Sequence, residues 1–362
     1  MLKPGGRLLM IVPDHVVSSV GFAETLRLAL LRHSDLLGVF DLPTETFAQA
    51  GTRTKTSVVY FRRKTTDRTS KPRRIFMAKS EDLGFRVISR SGATVKKIVG
   101  SNDMEAITAA YKQFCESKFS TAGIVCLSQQ PSIAAVRFES LINNRWTAGF
   151  YQTERLLALH RMEQCGQSEI TPQKLSDVTN IDPDVTERVL ADADNRRISV
   201  LHVREDGFID LAAVDSYRPT TACRRCVAGD VLLSKINPRI VRICIVPETP
   251  WKLACSTEFA ILRTKNAKIT PWMLLLLLRS SIVQAQIQTL TSGTSSSHNR
   301  IKERDLALIS LPVPVTGSQT MTKIKNLARI LEQATLNFYE VTRSMSECFA
   351  DFENLLAEKP SR

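Results

Sequence analysis

Lys3-Pro-Gly-Gly-Arg-Leu-Leu-Met-Ile-Val-Pro-Asp14 is the stretch that decides the fold class. Leu8 to Val12 is an unbroken apolar run, closed by Gly6 on one side and Pro13 on the other. A run without polar alternation reads as a strand buried on both faces, the kind found inside an α/β sheet. Working outward, residues 22–34 place Phe22, Leu26, Leu30 and Leu31 on one helical face. Leu36 to Phe40 reads as a second short strand and Pro43 to Thr56 as a polar loop. Ser57 to Phe61 is a third strand, rich in β-branched and aromatic residues. Strand, helix, strand, loop, strand is the second half of a doubly wound domain with nothing before it.

Farther along, residues 64–80 lose periodicity and are basic, which reads as a linker or loop. Residues 102–118 form a helical pattern with Met104, Ile107, Ala110, Tyr111 and Phe114 on one face. Residues 146–164 form another, with Tyr151, Arg155, Leu156, Leu159 and Met162. From about 168 to 320 short strands alternate with turn signals, clearest at Asp230 to Ser234, Ile240 to Val246 and Phe259 to Arg263. Trp272 to Thr289 reads as one helix among them. The most regular stretch is the last. Ile324, Leu327, Leu331, Ala334, Phe338, Val341, Met345, Cys348, Phe352 and Leu355 recur in steps of three and four, a heptad stripe that calls for a partner helix across its seam.

The chain has 362 residues, enough for two domains with cores of their own, and 43% apolar content excludes a disordered chain. Its formal charge is +13, which favours a polyanionic partner, most often nucleic acid. The excess is concentrated: 12 basic and 3 acidic residues between Arg62 and Lys97, and 13 basic and 4 acidic between Arg224 and Arg304. Pro131 to Cys223 and the last helix are net acidic. The longest apolar run, Trp272 to Leu278, falls far short of the roughly 20 residues that span a bilayer. There is no signal-peptide pattern, and eight scattered cysteines suit reduced thiols. These readings point to a cytoplasmic protein without a membrane partner.

The N-terminal segments resemble those of adenine-N6 DNA methyltransferases from type I restriction–modification systems. Lys3 to Asp14 resembles a late strand of that fold. Phe40-Asp-Leu-Pro-Thr-Glu-Thr-Phe47 resembles the strand and loop that follow, and Thr54-Lys-Thr-Ser-Val-Val-Tyr-Phe61 the closing strand. The resemblance covers residues 1–63 and implies the C-terminal part of a methyltransferase fold. Such enzymes bind S-adenosylmethionine at a Gly-rich loop and grip a flipped adenine with an Asn/Asp-Pro-Pro-aromatic tetrapeptide. This chain has no Phe-x-Gly-x-Gly, no Gly-x-Gly-x-x-Gly and no Pro-Pro. The resemblance therefore implies that no S-adenosylmethionine is bound by this chain alone and that no catalytic residue lies in it. Met1 is then an internal methionine of a split or truncated gene, or the start of a subunit.

Residues 145–320 resemble one target-recognition domain of a type I specificity subunit. Arg145-Trp-Thr-Ala-Gly-Phe-Tyr151 stands at its opening. Val227-Ala-Gly-Asp-Val-Leu-Leu-Ser-Lys-Ile-Asn-Pro-Arg239 is similar to its strand and turn, and Ala254-Cys-Ser-Thr-Glu-Phe-Ala-Ile-Leu-Arg263 to a following strand. Leu290-Thr-Ser-Gly-Thr294, then Ile301, Asp305, Leu306 and Leu311-Pro-Val-Pro314, is similar to the loop, helix and exit. The heptad helix, residues 321–358, takes the place of the spacer helix, and residues 64–144 are left as a basic connector with a helix. The whole reads as α/β: a partial doubly wound methyltransferase fold, a mixed α/β recognition domain and a long coiled-coil-like helix. The implied function is sequence-specific binding of double-stranded DNA that directs adenine methylation. Candidate DNA contacts are Arg224, Arg225, Lys235, Asn237, Arg239, Arg242, Ser292, Thr294, Asn299, Arg300 and Lys302. Guanidinium groups suit guanine edges and phosphates, and an asparagine suits adenine.

The implied partners are DNA, a methyltransferase catalytic subunit or missing N-terminal half, and a restriction subunit. Two other readings are an assembly or regulatory subunit that docks on a complete methyltransferase, and a gene remnant with an exposed apolar sheet edge. Cys223-Arg-Arg-Cys226 is a lone pair whose possible completion by Cys244 and Cys255 has no zinc-knuckle spacing, so no metal is expected. Asp14-His15 lacks a nucleophile, and Pro13-Asp14 lacks the further carboxylates of a nuclease.

Overall fold

The computed structural model describes residues 2–65, 74–90, 93–117, 125–165, 169–183, 188–189, 195–218, 221–265, 267–292 and 300–357. The chain is mixed α/β with several sheets and a long C-terminal helix. It divides into two compact units, one of residues 1–164, 236–239 and 281–309, the other of 165–235, 240–280 and 310–362.

The first unit is built on a six-stranded sheet. Its elements are β1 (Arg7–Pro13), α1 (Asp14–Ser18), α2 (Phe22–His33), β2 (Ser34–Leu42) and β3 (Thr56–Arg63). There follow β4 (Arg74–Lys79), β5 (Leu83–Arg90), β6 (Ala93–Asn102), α3 (Asp103–Glu116), β7 (Val125–Ser128), β8 (Ser132–Arg137) and α4 (Thr153–Cys165). The strand order is β1-β3-β2-β4-β8-β7. β3 lies between β1 and β2 and runs antiparallel to both, β2 and β4 are parallel, and β8 is antiparallel to β4 and β7.

The sequence-expected order of strand, helix, strand, loop, strand is present over residues 7–63. The expected burial of the first strand is not. β1 pairs only with β3 among the described residues, and Leu8, Leu9, Met10 and Ile11 are 38–63% exposed. Its composition is that of an inner strand, but its position is a sheet edge.

β4 corrects the reading of residues 64–80 as linker. Arg74-Ile-Phe-Met-Ala-Lys79 is a strand buried from Arg74 to Ala78, with a cation at each end. A strand buried on both faces has no alternation to detect, so its basic neighbours dominated the pattern. Residues 66–73 lie outside the described residues. The connector region thus holds β4, β7 and β8, all of them members of the N-terminal sheet.

α3 begins where Asn102 accepts a hydrogen bond from the Met104 amide at 3.0 Å, an N-cap. The face anticipated from spacing is the one that packs: Met104, Ile107, Ala110, Tyr111 and Phe114 surround Phe76, Ala78 and Ile133. The Tyr111 ring meets Phe76 edge-on at 5.1 Å. Burying side chains of this size stabilises by about 1.5–3 kcal/mol each before entropy is counted. The expected helix 146–164 is shorter, because Ala148–Tyr151 is a 3-10 turn and Gln152 is extended before α4.

The second unit has two four-stranded sheets. In the first, strands 179–181, 259–264, 231–234 and 243–245 are antiparallel neighbours, and the row Ile181, Leu262, Val231, Ile245 crosses all four. Helix Pro271–Arg279 buries Met273, Leu274, Leu275, Leu277 and Leu278, with Thr270 as its N-cap and Pro271 at its first position. The expected single helix 272–289 is broken at Ser280, which is extended (φ −62°, ψ 145°). Ser280 donates its hydroxyl to the Leu277 carbonyl at 2.7 Å, the local bonding by which serine competes with helix continuation.

The C-terminal helix runs Gln319–Ala357. Its inner half docks through Met321, Ala328 and Thr335, with Phe338 stacked on Phe208 at 4.1 Å. From Val341 to Leu356 every side chain is exposed, including Met345, Cys348, Phe352 and Leu355 of the heptad stripe. No helix among the described residues is long and apolar enough to cross a membrane.

Candidate nucleic-acid interface

In the first unit three separated backbone segments meet. Ser292 pairs with Arg300 and Thr291 with Ile301 in a short antiparallel ladder, and Ile236 bridges to the other side of Arg300. Arg300 is thereby flanked in register by Ser292 and Ile236. The chain turns directly after Ile236: Asn237 adopts φ +45°, Pro238 follows, and Arg239 is exposed. A non-glycine residue in the left-handed region costs energy that the surroundings must supply, and such strain gathers at functional sites. The Asn237 Oδ1 is buried with no hydrogen-bond partner among the described residues. Arg300 and Lys302 are exposed.

The ladder stands on a rigid support. Helix Glu303–Leu306 follows it, and Asp305, 3% exposed, receives Arg145 at 2.6 Å. The Arg145 guanidinium also lies 4.7 Å over the Phe150 ring, and Arg155 lies 4.3 Å over the same ring. Arg155 is almost fully buried and reaches the Gln286 and Leu308 carbonyls at 3.5 Å. Burial pushes the Arg155 pKa down to about 10, against Tyr151 and Asp305, which favour its charge. Arg145–Tyr151, expected as an opening segment, also supplies Arg145, which with Arg155 holds the helix and carbonyls beneath the ladder. The signal available was two arginines ten residues apart flanking aromatic residues.

A second charged node lies under α1. Lys55, 18% exposed, sits 3.1 Å from Asp14 and 3.5 Å from Asp41. Burial alone would lower the Lys55 pKa, but Asp41 and Asp14 override it and raise it. Burial would likewise raise Asp14, and Lys55, Ser18 and Lys302 bring it below the usual carboxylate range. Asp41 also accepts from Ser57 Oγ and the Gly149 amide, each at 2.7 Å.

In the second unit the Val227–Arg263 motif is structural at its centre. Gly229 takes φ +87° at the turn, and Asp230, 1% exposed, accepts from the Val227 amide at 2.9 Å. Arg263 grips the same carboxylate with Nε at 2.8 Å and Nη2 at 2.9 Å. Arg224 departs from the expected role. It is 6% exposed, its Nη1 lies 2.8 Å from Asp182 Oδ1, and its Nη2 donates to the Thr257 and Phe259 carbonyls. It joins strands rather than facing outward. Burial raises the Asp182 carboxyl pKa even beside Arg224 and Lys235. Arg225 is exposed, Lys235 and Arg242 are half-buried, and Ser234 donates its amide to the Arg242 carbonyl at 3.0 Å.

Of the expected contacts, Asn237, Arg239, Ser292, Arg300 and Lys302 fall in the first unit, and Arg224, Arg225, Lys235 and Arg242 in the second. Thr294 and Asn299 lie outside the described residues. Four cysteines, Cys223, Cys226, Cys244 and Cys255, are buried free thiols, and the neighbouring Cys255 together with burial pushes the Cys226 thiol pKa up. Among the described residues no group of three or more His, Cys, Asp or Glu side chains is arranged to hold a metal ion.

No known family profile matches the chain, and no curated protein does. Solved structures similar to it are restriction–modification proteins. The type IIG restriction endonuclease BpuSI matches at 12% identity over 90% of this chain and 42% of its own, with a TM-score of 0.33. The HsdS subunit from Thermoanaerobacter tengcongensis matches at 19% over 52% and 47%, TM-score 0.32. The type I methyltransferase subunit from Streptococcus thermophilus matches at 19% over 40% and 25%, TM-score 0.27. This chain spans less than half the length of each.

Proposed function

We propose that this chain is a DNA target-recognition component of a restriction–modification system that methylates adenine N6, and that the methyl-transfer machinery lies elsewhere. The observation that carries the reading is the ladder of residues 236–239, 291–292 and 300–302. It gathers Arg239, Arg300 and Lys302 beside the strained Asn237, on a base held by Arg145, Asp305 and Arg155. A polar, cationic edge on a rigid support suits base and phosphate contacts.

S-adenosylmethionine belongs to the complete enzyme in this reading. The sequence supports this: it has no Phe-x-Gly-x-Gly, no Gly-x-Gly-x-x-Gly and no Pro-Pro. A methyltransferase catalytic part, in a separate subunit or in more of the same polypeptide, supplies the cofactor site, and a restriction subunit joins the assembly.

The test is DNA binding by Arg239→Gln and Arg300→Gln. Each loses affinity or relaxes the recognised sequence with unchanged thermal stability. Wild-type affinity and preference in both variants overturns the assignment.

A second reading has the chain dock on a complete methyltransferase as an assembly or regulatory subunit. The exposed apolar edge at Leu8 to Ile11, which a gene remnant would also show, is the surface by which it would dock. It entails tight methyltransferase binding with weak DNA binding by the chain alone, which co-sedimentation separates from the first.

A further inference from the structure

β5 and β6 form a two-stranded antiparallel ribbon that pairs with no other strand among the described residues. Residues 83–102 hold Arg86, Arg90, Lys96 and Lys97 and no Asp or Glu. The register sorts these charges by face. Arg86 stands directly opposite Lys97, with Ile88 opposite Val95 next along the same face. All four are exposed. Lys96 belongs to the other face, its ammonium 4.0 Å over the Phe85 ring.

Like charges directly opposed across a ribbon repel. Neither Arg86 nor Lys97 forms an ion pair or side-chain hydrogen bond among the described residues. The nearby carboxylates are already engaged at the ribbon's base. Asp82 accepts from the Gly84 amide at 2.8 Å and from Ser101 Oγ. Asp103 Oδ2 accepts from the Glu81 and Asp82 amides at 2.7 and 2.8 Å. Asp103 is also the first residue of α3, whose apolar face lies in the core. The base is therefore fixed, and the exposed face keeps Arg86 and Lys97 opposed, with Arg86 also feeling the Asp82 charge at the base.

Resting on the DNA-recognition reading, we propose that the β5–β6 ribbon is a second contact to double-stranded DNA, with the Arg86, Ile88, Val95 and Lys97 face turned to the duplex. A two-stranded ribbon fits a major groove about 12 Å wide. The Arg86 and Lys97 charges meet phosphates on its walls, and the paired Ile88 and Val95 meet sugar or thymine methyl groups. The ribbon adds affinity and register, and the 236–302 ladder carries the sequence preference.

The test measures duplex affinity of the whole chain by anisotropy across 50–200 mM salt. It compares Arg86→Gln/Lys97→Gln with Arg239→Gln/Arg300→Gln and with Lys323→Gln/Lys325→Gln, an equal charge change on the C-terminal helix. The ribbon pair is expected to lose about tenfold or more in affinity, with a salt slope shallower by roughly 0.9 for each phosphate no longer neutralised, and to select the same sequence as wild type. Affinity and slope equal to wild type in the ribbon variant overturn the proposal, as does an equal loss in the C-terminal control. The same loss on a vesicle of anionic lipid with none on DNA assigns the ribbon to membrane and also overturns it. If the ribbon variant loses affinity and the ladder variant does not, the ribbon stands and the ladder reading fails. No duplex binding by wild type defeats both. Thermal melting checks that each variant is folded, and the single Lys97→Glu variant replaces any that is not.

Discussion

Met10 and Val59 stand directly opposite each other across β1 and β3, yet Met10 is 40% exposed and Val59 2%. The row they begin continues through Val39, Met77 and Ala134, all essentially buried. At β1 the row opens to water. A strand with apolar side chains on both faces and an unpaired edge is the template by which sheets extend.

Substitutions on the two sides of that step should therefore differ. Leu9→Lys/Ile11→Lys is expected to change stability by no more than about 0.5 kcal/mol, since both side chains already meet water. Val59→Ala is expected to cost about 1–3 kcal/mol. Urea denaturation of the isolated chain checks both. The lysine pair should also reduce self-association in sedimentation experiments.

The two arginine classes can be told apart in the same way. Arg224→Gln leaves the Asp182 carboxylate without its buried partner and is expected to cost about 3–5 kcal/mol. Any loss of DNA binding in it should follow unfolding. Arg239→Gln should lose DNA binding with its melting temperature unchanged. Paired melting and binding curves decide.

Much of this was legible in the sequence, for identifiable reasons. The α3 face from Met104 to Phe114 was readable because a half-buried helix alternates apolar and polar residues; the C-terminal helix was readable as a helix, but its docked face is Met321, Ala328 and Thr335, while Leu327 and Ala334 of the expected stripe are exposed. β4 was not, because full burial erases alternation and Arg74 and Lys79 cap its ends. The Ser280 break was hidden inside a run whose flanks are both apolar. The charged site residues were readable by type but not by role. Arg224 and Arg225 are neighbours in one strand, and alternation sends one inward to Asp182 and the other outward. Residue type carries no sign of that inversion until the strand's register is known.

The Lys55 node makes acid stability a direct test. Asp14 has its pKa lowered on folding, so its contribution is present above the unfolded value near 3.8 and is lost as pH falls through the folded value. Lys55 has its pKa raised, so its contribution is complete below the unfolded value near 10.5 and is lost only as pH rises through the folded value. Melting temperature should thus hold through neutral pH and fall below about pH 4. Lys55→Met removes the cation between two carboxylates, and the fall should begin at higher pH. An acid limb unchanged by Lys55→Met contradicts the assignment.

The outer half of the C-terminal helix should be dispensable to the isolated fold. Removing residues 341–362 is expected to leave the melting temperature within a few degrees of wild type. Phe338→Ala, which breaks the stack on Phe208, should cost about 3–5 kcal/mol if the site cannot collapse. Calorimetry distinguishes the two. A large loss on truncation would mean that the exposed stripe already has a partner in solution.

The central claim is that this chain reads DNA sequence, and selection measures it most directly. The purified chain is mixed with random-sequence duplexes at low salt and at about 200 mM salt, where non-specific phosphate contacts are strongly weakened, and the retained DNA is sequenced. The account predicts an enriched motif of a few base pairs that persists at the higher salt and is lost in Arg239→Gln/Arg300→Gln. Binding that disappears with salt and enriches no sequence would contradict it.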